Sequence, residues 1–140
     1  MAFLAIALVI LGNLVYHLGQ RAIPREANAV VATLAAYLVA LLATLAMVPV
    51  LARGVPLGSA WRTLNASTLA VGVGIVAIEL GFLLAYRAGL VISTASITAN
   101  AAVAVLLLLV GALAFKEPVT LARVAGIGFC LVGLWLITRP

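Results

Sequence analysis

Apolar residues run almost unbroken along the chain, interrupted at four places by short polar or turn-forming clusters. A helix needs roughly 20 apolar residues to cross about 30 Å of hydrocarbon. By that measure the pattern predicts five membrane spans, at about residues 2–19, 29–51, 67–86, 90–115 and 119–138. Arg21, Pro24, Arg25 and Glu26 close the first span. Pro49 should kink or end the last turn of the second, because proline lacks the amide that continues a helix. A turn-rich linker at 54–65 follows, with Pro56, Gly58, Trp61 and Arg62. Arg87-Ala88-Gly89 leaves only a very short turn between the third and fourth spans. Lys116-Glu117-Pro118 separates the fourth from the fifth, and Pro118 suits a first helical position. Trp61 and Trp135 read as interfacial anchors.

Composition agrees with this pattern. Of 140 residues, 67% are apolar and 8% charged, and the mean hydropathy is +1.38. A soluble domain carries about a quarter charged residues. The fold expected is therefore an all-α membrane protein, a single five-helix domain over 1–140. Little chain remains outside the spans, which points away from an enzyme and from any cofactor. The apolar N-terminus has no Lys or Arg before it and no small-x-small site before Asn13, Tyr16 and His17, so it reads as a retained span, not a cleaved leader. The net charge of +5 is spread singly and in loose pairs at span edges. Juxtamembrane charges are distributed that way, whereas nucleic-acid sites form patches. Cys130 is the sole cysteine and can form no intrachain disulfide.

The polar residues inside the spans fall into stripes. Asn13, Tyr16, His17 and Gln20 share one face of the first helix, at i, i+3, i+4 and i+7. Thr33, Tyr37, Ala40 and Thr44 do so in the second, Gly72, Glu79 and Tyr86 in the third, and Ser93, Ser96 and Asn100 in the fourth. Four polar faces suggest a central polar cavity; interhelical hydrogen bonding is the competing reading, worth under ~1 kcal/mol per pair. Glu79 is the strongest candidate. An ionised acid at mid-membrane costs of order 3 kcal/mol, so such a group has reason to carry a proton or to meet a cationic substrate. A structural pairing with His17 or an arginine is the alternative, although Arg87, ~12 Å along the same helix, is out of reach. His17 has no second ligand at metal-binding spacing. Gly72-x-Gly74 has no preceding strand and reads as a packing site, not a phosphate loop. Gly126 and Gly133, seven apart on the fifth helix, suggest a packing or dimer seam. Glu117, at the membrane edge, is expected to form a local ion pair or cap.

Five spans put the termini on opposite sides. One side then carries Arg53, Arg62, Lys116 and Arg123, and the other Arg21, Arg25, Arg87 and Arg139. Orientation normally follows a Lys/Arg excess on the cytoplasmic side. With none, either the first span or a partner sets one orientation, or copies insert both ways and pair antiparallel.

The stretch Ala85-Tyr86-Arg87-Ala88-Gly89, residues 106–111, Phe115-Lys116-Glu117-Pro118, and Gly126 through Gly133-Leu134-Trp135-Leu136-Ile137 resemble the C-terminal part of an EamA-type repeat. That repeat belongs to the drug/metabolite transporter superfamily, and the order of helices is similar across the whole chain. Full-length members resemble two such units fused in opposite orientation, so this chain looks like a half-size, five-helix member. The Gly126/Gly133 spacing also resembles the dimerisation helix of small multidrug resistance proteins. Those have four spans and an essential Glu in the first, where this chain has no acid.

The resemblance implies a secondary transporter in the bacterial inner membrane, built as an antiparallel homodimer around a midplane site. It would export a small organic metabolite or cationic drug-like compound. The polar stripes would supply its substrate and proton site: Glu79, Tyr86, Asn13, Tyr16, His17, Tyr37, Ser96 and Asn100. Its partners would be membrane lipid, substrate and a second copy, with no metal, cofactor or nucleic acid. A flippase subunit for a lipid-linked head group and a non-transporting accessory subunit are the alternatives.

Overall fold

The computed structural model describes residues 1–139, and among them helices joined by short turns are the sole regular structure, with no strand. The long helices are α1 (Ala2–Ala22), α2 (Ala29–Leu51), α4 (Ala66–Arg87), α5 (Ile92–Ala114) and α6 (Leu121–Thr138). A single helical turn, α3 (Leu57–Ala60), and a 3-10 turn at Trp61–Thr63 occupy the linker that the sequence marks as turn-rich. All five long helices are long and apolar enough to cross a membrane. That is the make-up of a multi-pass membrane protein. In hydrocarbon a helix is favoured because it satisfies every backbone N–H and C=O within the segment.

Local chemistry sets the helix ends. Asn28 Oδ1 accepts from the amides of Val30 and Val31, at 2.9 and 3.2 Å, and so starts α2. α2 then runs through Pro49 and stops at Leu51. Gly54 and Gly89 take left-handed φ values of +76° and +97°, which a side chain would oppose. The last helix departs from expectation. It begins at Leu121 and not with Pro118, because Thr120 Oγ1 accepts from the Arg123 amide at 3.3 Å and caps it.

The chain divides into two compact units: residues 1–18 with the segment from Ala88 onward, and residues 19–87. In the first, α5 packs on α6; in the second, α2 packs on α4. At most 11% of any spanning stretch is buried. Leucine, isoleucine and valine point outward along every long helix, while His17, Gln20 and Thr33 are among the few buried positions. An outer surface of that kind suits lipid; in water it would drive association.

The α5–α6 connection folds back on itself. The amides of Phe115 and Glu117 both donate to the Gly111 carbonyl, at 3.2 and 2.9 Å, with Lys116 at φ +54°. Glu117 pairs with Arg123 at 3.6 Å, not with the adjacent Lys116, and Arg123 also donates to the Pro118 carbonyl at 3.2 Å.

Candidate functional site

α1 contributes polar residues to both units through one face. In the first unit, His17 is buried and its Nε2 lies 3.1 Å from Ser96 Oγ. Tyr16 meets the His17 ring edge-on, with centroids 5.0 Å apart. Asn100 Nδ2 donates to Ser96 Oγ at 3.4 Å, one turn away on α5. The structure therefore brings Tyr16, His17, Ser96 and Asn100 together. Asn13 is exposed and forms no hydrogen bond among the described residues.

Asn100 also lines a mainly apolar groove of about 400 Å³ between α5 and α6, with Ala101, Ala104, Cys130 and Gly133. No atom lies within 4 Å of a Cβ built at Gly126 or Gly133, so packing within the described chain does not require either glycine.

In the second unit, Gln20 Nε2 donates to Glu79 Oε2 across 59 residues of sequence. Glu79, eight residues before the end of α4, thus has a neutral hydrogen-bond partner on α1. Tyr37 lies on α2, which packs on α4, the helix that carries Glu79. The Tyr37 hydroxyl and the Thr33 Oγ1, one turn apart, are both buried without a hydrogen-bond partner. A buried orphan hydroxyl costs roughly 1–3 kcal/mol. Such groups mark places where a ligand or ordered water is to be expected. Thr44, further along the stripe, instead satisfies its hydroxyl on the Ala40 carbonyl at 2.8 Å.

Tyr86 is 2% exposed and stacks against Phe82 at a ring separation of 5.9 Å. Its carbonyl accepts from Arg21 Nη1 at 2.8 Å. Arg87 Nη2 donates to the Ala27 carbonyl at 2.7 Å, and Arg87 Nε is buried without an acceptor. These residues surround a pocket of about 230 Å³ lined by Gln20, Arg21, Ile23, Arg25, Tyr86 and Arg87. The site predicted from sequence omits its three arginines, which are read there only as edge charges. One signal was available: Arg21, Arg25 and Arg87 all fall on the same side of the five-span layout.

Among the described residues, no three His, Cys, Asp or Glu side chains cluster as metal ligands. Compared with protein-family models, characterised proteins and solved structures, the chain gives no match.

Proposed function

We propose that the chain is a secondary transporter, similar to one EamA repeat of the drug/metabolite superfamily, that acts as an antiparallel homodimer in the bacterial cytoplasmic membrane. It exports a small organic substrate in exchange for protons carried by Glu79. The observation that carries the reading is the Gln20–Glu79 pair inside apolar helices. A glutamine amide has both a donor and an acceptor end. Its N–H₂ serves the ionised carboxylate, and its carbonyl can serve the protonated acid. Both protonation states thus find a partner where an ionised acid alone would cost of order 3 kcal/mol. The orphan hydroxyls of Tyr37 and Thr33 in the same unit offer polar contacts to a substrate.

Three arginines in that unit weigh against a bare cation and toward a substrate with a neutral or negative group. They also favour a second reading, a flippase for a lipid-linked head group, over an accessory subunit. The test is flux in proteoliposomes with an imposed proton gradient, across cationic, neutral and anionic metabolites. Glu79→Gln should abolish gradient-driven flux of whichever compound the native chain moves. Full flux with unaltered pH response in that variant would sink the proton role.

A further inference from the structure

Arg21, Arg25 and Arg87 converge on one small pocket, and no carboxylate among the described residues lines it. Arg21 and Arg87 lie in the last turns of α1 and α4, where helix carbonyls attract cations. That attraction explains part of the arrangement and leaves much of it unused. A guanidinium has five N–H donors. Arg21 spends one on the Tyr86 carbonyl at 2.8 Å, and Arg87 reaches the Ala27 and Pro24 carbonyls through a single nitrogen, at 2.7 and 3.4 Å. These bonds fix the two side chains in place. Arg87 Nε remains buried without an acceptor, and Arg25 forms no hydrogen bond or ion pair among the described residues. Glu26, the nearest acid in sequence, does not line the pocket. Gln20 and Tyr86 form the rest of its polar wall and are 7% and 2% exposed.

We propose that this pocket binds a phosphate group, presented by an anionic lipid head group or by a free phosphate compound. Planar guanidiniums match phosphate oxygens in paired hydrogen bonds, and a tetrahedral phosphate offers acceptors to three of them at once. At about 230 Å³ the pocket is smaller than the roughly 300–1,000 Å³ of drug-sized sites, so it takes a head group and not a whole amphiphile. It lies at the ends of two helices long and apolar enough to cross a membrane, and basic pockets between such spans can hold lipid phosphates. Binding here does not rest on the transport reading, and loss of the Glu79 role would leave it untouched.

The test uses the full chain in uncharged detergent, titrated with dioleoylphosphatidylglycerol, with dioleoylglycerol and with inorganic phosphate, and read by native mass spectrometry. Phosphatidylglycerol should bind at least tenfold more tightly than dioleoylglycerol. Arg25→Gln should weaken it about tenfold, the loss of one charge-assisted hydrogen bond. Arg53→Gln, at the other end of α2, should leave affinity unchanged. Arg25 holds no other group, so its variant keeps the fold, which circular dichroism checks. Displacement of the lipid by millimolar phosphate would identify the phosphate group itself as the ligand. Lipid binding that phosphate cannot displace would identify the lipid head group. Equal affinity for the two lipids without phosphate binding overturns the proposal. So does an equal loss in the Arg25 and Arg53 variants.

Discussion

At Glu79 the identity of the partner decides what the acid can do. An arginine would lock the carboxylate into a fixed ion pair, and removing either member would leave an uncompensated buried charge. Gln20 imposes no charge of its own, which is what the proposed proton exchange at Glu79 requires. Two glycines show how single positions separate strain from crowding. Gly89 has open space around it but φ of +97°, so an added Cβ meets no atom and still strains the backbone. Gly111 is unstrained, yet a Cβ there would lie 3.3 Å from Glu117 Oε2. The Glu117 side chain is 60% exposed, so its carboxylate can swing aside, and alanine recovers up to about 1 kcal/mol of helix propensity. Gly89→Ala should therefore destabilise by about 1–2 kcal/mol and Gly111→Ala by less, read from unfolding in mixed detergent. The reverse order would show that the Glu117 turn is the more rigid of the two.

Helix ends follow the same local logic. Asn28 accepts two amides of α2, at 2.9 and 3.2 Å, whereas Thr120 accepts one amide of α6, at 3.3 Å. Asn28→Ala should cost about 1 kcal/mol and Thr120→Ala less. Hydrogen exchange would show it: the amides of Val30 and Val31 should exchange about fivefold faster in the first variant, while α6 stays unaffected. An equal or larger effect at α6 would contradict this. The five long helices could be read from apolar length alone, since crossing lipid demands a minimum run. Their ends were harder to place. Pro118 competes with Thr120 as a helix start, and only the hydroxyl's hydrogen bond decides between them. Within the site, helical periodicity gives the face of a residue but not the helix opposite it. The stripe through His17 and Gln20 was legible, whereas their bonds to Ser96 and Glu79 span 79 and 59 residues. The arginine pocket was hidden for a different reason. Loop charges at span edges have a sufficient explanation in topology, so nothing in their spacing called for a ligand.

For the whole molecule, the balance of basic residues decides what the chain can assemble into. Its outward apolar surface gives no preference for either direction of insertion, so Lys and Arg at the span ends must supply it. In the five-span layout expected from the sequence, Arg53, Arg62, Lys116 and Arg123 fall on one side and Arg21, Arg25, Arg87 and Arg139 on the other, a tie of four against four. If that tie gives dual insertion, cysteine tags at the two termini of a Cys130→Ala chain should each be labelled from both faces, in comparable amounts. Labelling of every N-terminus from a single face would exclude dual insertion. Ser59→Lys with Thr63→Lys adds two charges to the linker, where both native hydroxyls bond only nearby carbonyls, those of Pro56 and Ala60. The count becomes six against four, and nearly all copies should then place that linker in the cytoplasm. Such a uniformly oriented chain cannot form antiparallel pairs, so gradient-driven flux should fall to background. Phosphatidylglycerol binding should persist, because Arg21, Arg25 and Arg87 line a pocket within one chain. Flux that survives uniform insertion would place transport in the single chain or in a parallel assembly.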